Sequence, residues 1–192
     1  MIIGITGLAR SGKDTCADIL CRELNKKGYC FKKVALAKPM KDACRVIFGW
    51  DDDYLYGDKK DIIDERYGIS PRHVLQTMGT DWGQFMLSKF DNFNVVTGRK
   101  LWIKSLLNNY KGQNVIISDV RFVHEADEII KNNGYIIRIE RPGLKQMKHK
   151  SEKEIKKIDV NAVIYNDSDI DTYKNKILDM SNILLCSLYE QK

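Results

Sequence analysis

The sequence predicts an α/β protein built on a parallel sheet with helices on both faces, and three observations carry that expectation. Apolar runs of strand length alternate with segments of helical periodicity along the whole chain. The first run, Ile2-Ile3-Gly4-Ile5-Thr6, opens directly into Gly7-Leu8-Ala9-Arg10-Ser11-Gly12-Lys13, two glycines with four residues between them and then lysine, which is the P-loop pattern. A chain of 192 residues, 43% of them hydrophobic, is long enough for one full core. No internal repeat, low-complexity linker or second domain interrupts it, so a single domain over residues 1–192 is expected.

In a P-loop, glycines let the backbone curl until several N–H groups converge on phosphate. The helix that follows, expected over Lys13 to Lys27 and ended by Gly28, turns its positive end toward the same anion. Gly7, Ser11, Gly12, Lys13, Asp14 and Thr15 are therefore the candidate ATP contacts, with Lys13 at the terminal phosphates. The pattern departs from the usual one at a single place. Asp14 stands where Ser or Thr ordinarily ligates magnesium, and the hydroxyl comes one residue later, at Thr15, the candidate magnesium contact.

Residues 30–36 read as a second strand, and Ala37-Lys38-Pro39 turns into a short helix through Phe48. Residues 49–68 are polar and acidic. Asp51-Asp52-Asp53 lacks the spacing of a calcium loop and reads as a solvated turn. Ser70-Pro71 is a helix start, Ser as N-cap and Pro at the first helical position, for a helix expected to run to about Phe90. At about 100° per residue, Val74, Leu75, Met78, Trp82, Phe85 and Met86 share a core arc, and Arg72, Gln76, Gly79, Thr80 and Gly83 share a neighbouring one. Glycine in a helix costs roughly 1 kcal/mol relative to alanine. The second arc is therefore either a bare shelf for a flat base, with Arg72 and Gln76 as hydrogen-bonding groups, or a place where another helix packs close.

In a helix over Leu101 to Tyr110, Trp102 either stacks on a ligand or, as periodicity alone favours, lies in the core. Asn114 to Asp119 is a buried strand with an aspartate at its carboxyl end, where open parallel sheets put their ligands. Val120-Arg121-Phe122 leads into a helix closed at Asn133-Gly134. Asp119, Arg121 and Glu125 are then either a structural ion pair or a phosphate and sugar site. Tyr135 to Glu140 is the next strand, residues 144–158 are a lysine-rich run around His149, Ala162 to Asn166 is a last strand, and a helix follows from about Asp169. The lysine run is either a solvated helix or a flap over phosphates.

A net charge of +6 suits polyanionic ligands, nucleotides among them, although most of the 32 basic residues read as solvated surface. Five cysteines, an odd number with no C-x-x-C pair, argue against a disulfide framework or zinc site and point to a reducing, cytoplasmic setting. No run is apolar enough to span a bilayer, and the first strand is read as core rather than signal peptide. A GTPase would need D-x-x-G, which Asp119-Val120-Arg121-Phe122 does not supply, and N-K-x-D, which Asn166-Asp167-Ser168-Asp169 spoils with an acid. A nucleic-acid-dependent ATPase would need a basic stripe with interleaved aromatics, and residues 144–158 have none. A small-molecule kinase needs a second anion site, for which Arg10, Lys38, Arg72 and Arg121 are available.

Three motifs taken together resemble the bacteriophage and viral deoxynucleoside monophosphate kinases: Arg10 to Thr15, Leu75-Gln76-Thr77-Met78-Gly79-Thr80-Asp81-Trp82-Gly83, and Ser118-Asp119-Val120-Arg121-Phe122. Glu125-Ala126, Arg141-Pro142-Gly143, His149 to Glu152 and Asn166-Asp167 follow in matching order, so the resemblance spans nearly the whole chain, although the chain is shorter than the phage members. It implies a three-layer P-loop NTPase fold of the nucleoside monophosphate kinase kind, with a substrate-binding helical region at about 49–111 and a basic lid at about 141–158. It implies transfer of the γ-phosphoryl of ATP, with Mg2+, to a deoxynucleoside monophosphate. Lys13, Arg10 and Arg121 would be catalytic, with Arg10 between donor and acceptor phosphates. Lys38 joins as a second-anion group, and Arg72, Gln76, Trp102, Asp119, Arg121 and Glu125 would hold the monophosphate. With this help the glycine arc leans to substrate, while Trp82 stays in the core. A small-molecule substrate, no nucleic acid, no membrane and a possible homodimer complete the expectation. A similar Arg10-x-Ser11-Gly12-Lys13-Asp14 start occurs in animal-type phosphomevalonate kinases, the second reading, and a non-kinase P-loop ATPase is the third.

Overall fold

The computed structural model describes residues 1–144 and 154–190, with side chains described as far as 186. The chain divides into two compact units, one of residues 1–35 and 107–192, the other of residues 36–106.

The first unit carries the sheet. Its strands are β1 (Ile2–Thr6), β2 (Phe31–Val34), β3 (Asn114–Val120), β4 (Tyr135–Glu140) and β5 (Ala162–Tyr165), in the order β2-β3-β1-β4-β5, all parallel. β1 and β3 are apolar almost throughout because they lie inside the sheet and are covered on both faces. β2 is shorter than expected. It sits at an edge, and Lys32 and Lys33 on it face solvent. Each parallel pair needs a crossover. Helix α1 (Lys13–Lys26) makes the first, and packs on the C-terminal helix, Ile170–Glu190. Ile3, Ile5, Ala17, Leu20, Leu24, Ile116, Ile137, Tyr173, Ile177 and Leu184 form the core they share.

The second unit opens with α2 (Lys38–Phe48) and α3 (Asp52–Leu55). The acidic stretch is spent locally. Asp51 caps α3 by accepting from the Tyr54 N–H, Asp52 pairs with Arg45 at 2.5 Å, and buried Asp64 accepts from Trp50 Nε1 at 2.7 Å and from Arg66. Burial alone would raise the Asp64 carboxyl, but the Arg66 guanidinium and the indole N–H hold it well below the usual carboxylate range. Helix α4 (Pro71–Gln76) starts as expected, with Ser70 Oγ accepting from the His73 N–H.

It does not continue as a regular α-helix. Residues Thr77–Met86 form a π-helix and Leu87–Lys89 a 3₁₀ turn. Bonding from i to i+5 widens the turn, so positions drawn at 100° per residue rotate out of place. Trp82 and Met86, expected in the core, are 41% and 55% exposed, while Gly79, Thr80, Gly83 and Gln84 are buried. The bare shelf is therefore corrected to close packing. A Cβ on Gly83 would lie 2.6 Å from the Trp102 indole and one on Gly79 would lie 3.0 Å from Met40 Sδ, and Trp102 Nε1 donates to Gly79 O at 2.8 Å. After α5 (Asp91–Val96), α6 (Leu101–Asn109) leads back to the first unit, where α7 (Val123–Lys131) and α8 (Ile170–Glu190) complete the helices named here.

Candidate active site

The glycine loop is built at the carboxyl end of β1. Gly7 (φ 144°) must be glycine for space as well as conformation, since a Cβ there would sit 2.4 Å from Ile139 O on β4. Arg10 and Gly12 both adopt left-handed backbone, φ 64° and 101°. Such residues alternating with right-handed neighbours turn successive N–H groups to one side. Ser11 N–H closes a turn on Leu8 O at 3.2 Å, and Lys13, a buried residue, carries its ammonium back to Leu8 O at 2.6 Å. Ser11 Oγ is buried with no hydrogen-bond partner, an unspent polar atom in the loop itself. Three further donors meet the loop from outside: Arg141 Nη1 reaches Arg10 O at 3.4 Å, Asn166 Nδ2 reaches Ser11 O at 2.9 Å, and Tyr173 OH reaches Gly12 O at 3.1 Å.

Asp14, one of the candidate ATP contacts, pairs with Lys33 of β2 at 3.5 Å, and Lys33 pairs with Asp18 at 2.9 Å. Its carboxylate is thereby balanced within the protein. Thr15 is exposed on the first turn of α1, an oxygen donor of the kind that magnesium takes.

β1 and β3 are neighbours, and the register pairs Thr6 with Val120. The loop after β1 and the segment after β3 therefore leave the sheet side by side. Between the pairs Gly4–Ile117 and Thr6–Val120, β3 holds one extra residue, a bulge at Ser118-Asp119. Arg121 follows at once and is exposed, with its N–H fixed by Glu125 Oε2 at 2.8 Å.

Glu125 itself is corrected. It is buried, and the same oxygen accepts from the Phe122 N–H at 3.1 Å. It sits at the third position of α7 and reaches back to the amides before the helix, the glutamate half of a capping box. Its task is to hold the Arg121 backbone rather than to touch a sugar. Burial pushes its carboxyl up to about 8, against the pull of the two N–H donors. The folded value lies above the ordinary 4.5, so the native state holds the extra proton between those values and stability falls as pH rises from about 4.5 to about 8. Glu125→Gln keeps the acceptor and removes the titration. Its urea midpoint should stay level over that window while that of the parent declines; a parallel decline in both would refute the assignment.

In the second unit, the candidate cations are held by acids. Lys38 pairs with Asp42 at 2.6 Å, and Arg72 makes a two-pronged contact to Asp61. Gln76 is half-buried. Trp102 is held by its bond to Gly79 O and lies 6.2 Å from Trp82, ring centre to ring centre. Sequence reasoning passed over Gln84, buried and accepting from Arg99 Nη2 at 3.4 Å, with the Arg99 guanidinium 4.7 Å over the Phe85 ring. It also missed the loop contacts of Asn166 and Tyr173. Asn166 had two signals, its place at the carboxyl end of a strand and the Asn166-Asp167 pair of the family resemblance; Tyr173 had none beyond core periodicity. The lysine flap falls mostly on residues 145–153, including His149, and lies outside the described residues.

A parallel sheet in this order, with a glycine-and-lysine loop after its central strand, defines a P-loop nucleotide-binding protein. The chain belongs to the deoxynucleotide monophosphate kinase family, whose sequence model matches residues 54–177. A protein of Acanthamoeba polyphaga mimivirus with the provisional name deoxynucleotide monophosphate kinase is 34% identical over 190 residues, covering 93% of this chain and 94% of that protein. Among solved structures, shikimate kinase from Aquifex aeolicus aligns with TM-score 0.46 at 17% identity, covering 100% of this chain and 98% of the other. A gluconokinase from Sinorhizobium meliloti aligns with TM-score 0.48 at 11% identity, covering 99% and 96%. Likenesses at these scores bear on no substrate. The chain is a kinase that uses a nucleotide. No helix among the described residues is long and apolar enough to cross a membrane.

Proposed function

We propose that the protein transfers the γ-phosphoryl group of ATP to a deoxynucleoside monophosphate, giving the diphosphate and ADP. The observation that carries this is the pairing of Thr6 with Val120, which sets the donor loop beside the strand end bearing Asp119 and Arg121. Phosphoryl transfer needs positioning and charge neutralisation more than covalent chemistry. Lys13 and the loop amides neutralise charge on the β- and γ-phosphates. Arg10, exposed at the crest of the loop, and Arg121 neutralise the acceptor phosphate, whose oxygen attacks the γ-phosphorus as ADP leaves. Asp119 accepts from the acceptor nucleotide. In the second unit Lys38, Arg72, Gln76 and Trp102 are assigned to the monophosphate, with Lys38 and Arg72 exchanging Asp42 and Asp61 for it. Glu125 acts through the Arg121 backbone.

Magnesium arrives with the triphosphate as part of the substrate, screening its charge. The oxygen donor at Thr15 and the unspent Ser11 hydroxyl fit an MgATP ligand. Release of ADP from MgATP is the test, with the eight common ribo- and deoxynucleoside monophosphates and phosphomevalonate as acceptors. Turnover with one or more deoxynucleotides is expected; turnover with phosphomevalonate alone, or with no acceptor, overturns the assignment.

A further inference from the structure

We propose that Asn166 and Tyr173, aided by Arg141, are positioning residues for the nucleotide, acting from outside the glycine loop to set the direction in which its amides point. Resting on the reading that this loop holds the triphosphate, the proposal adds residues with no contact to it.

The three donors take three consecutive carbonyls: Arg10 O, Ser11 O and Gly12 O. In a trans peptide the C=O of one residue and the N–H of the next point in opposite directions. Drawing these carbonyls outward therefore turns the N–H groups of Ser11, Gly12 and Lys13 to the other side. The Ser11 N–H is used within the turn, on Leu8 O at 3.2 Å. Those of Gly12 and Lys13 then turn toward the concave side, where the triphosphate would sit. A flip of either peptide would place a carbonyl oxygen there and repel phosphate. At Gly12 O the first bond of α1, from the Cys16 N–H at 2.9 Å, already opposes that flip, and the outer donors add to it there and act at Ser11 O.

The surroundings are built for the task. Tyr173 is 1% exposed, and burial pushes its phenol above the ordinary value, so it remains a proton donor. Asn166 is tied by its own N–H to Glu140 O at 2.7 Å, joining the ends of β4 and β5. Lys176 fastens the connection, reaching Tyr165 O at 3.1 Å and Asp167 at 2.6 Å. A Cβ on Gly12 would come within 2.7 Å of Asn166 Nδ2 and 3.2 Å of Tyr173 OH. Gly12 is thus glycine both for its left-handed backbone and to admit these two groups.

A merely structural role, holding α8 against α1, predicts lower stability with unchanged nucleotide affinity in the folded protein. The test measures MgATP affinity by calorimetry, KM for each substrate, and melting temperature, all on the full chain. Tyr173→Phe removes one oxygen from a buried ring. It should raise the ATP Kd by about three- to tenfold, the worth of one hydrogen bond, with KM for the monophosphate little changed. Asn166→Ala should do the same or more. Asn166→Asp replaces the donor with an acceptor facing Ser11 O and should be worse than alanine. Unchanged ATP affinity in Tyr173→Phe, or equal losses for both substrates, overturns the proposal, and Tyr173→Phe decides it alone if the Asn166 variants do not fold. A parent enzyme that binds MgATP but phosphorylates no deoxynucleotide defeats the acceptor assignment only, because the ATP affinities still decide this one.

Discussion

Lys13→Ala should cost at least about 10²–10³ in turnover, the scale of losing one preorganised charge-stabilising donor, while the protein still folds. Lys13 is the first residue of α1, and its ammonium donates to Leu8 O of its own loop at 2.6 Å. Alanine is the best helix former, so α1 keeps its start. Leu8 O, in a half-buried residue, still accepts from the Ser11 N–H at 3.2 Å. Turnover and melting temperature measured together check the expectation. Near-normal turnover would remove the loop from the chemistry altogether, and a collapsed melting temperature would mean that the lysine serves the fold.

Much of the first unit was legible because local and nonlocal signals coincide there. β1 is apolar because it is central, and the loop after it carries a motif whose glycines are demanded by φ and by space at Gly7 and Gly12. The start of α4 was legible because Ser70 and Pro71 act within one turn. Its continuation was not, because the π-helix is tied to a partner remote in sequence. Trp102, nineteen positions beyond Gly83, fills the space over that glycine and bonds to Gly79 O, so no window around residues 77–86 contains the reason for their geometry. The partner of Arg72 was hidden for the same cause: Asp61, which pairs with it, is eleven residues away across a loop. Glu125 was misread for a different reason. Its place three residues after Phe122 is that of a capping glutamate, but the N-cap is an aromatic residue with no oxygen to complete the familiar pair, so the spacing passed for a ligand constellation. Asn166 and Tyr173 show the remaining limit. Carbonyls on the outside of a loop need donors, but which residues supply them depends on how β5 and α8 return to it.

Arg121→Ala should weaken binding of the deoxynucleoside monophosphate by about ten- to a hundredfold and leave MgATP affinity within about threefold. A hydrogen bond to a charged group is worth about 1.5–3 kcal/mol, and each 1.4 kcal/mol is a factor of ten. The substitution is clean because the side chain is exposed while the backbone N–H, which Glu125 accepts at 2.8 Å, is kept. The cap of α7 therefore survives, and stability should move by no more than about 0.5 kcal/mol, as for surface changes generally. One objection is that removing any positive charge weakens any anion. At 10 Å in water that general effect is about 0.4 kcal/mol before salt screening, or about twofold, and it falls on both nucleotides alike. The differential carries the argument. A large loss for the monophosphate alone assigns Arg121 to the acceptor, whereas equal small losses would reduce it to surface charge and leave Asp119 and Arg10 to define the acceptor side without it.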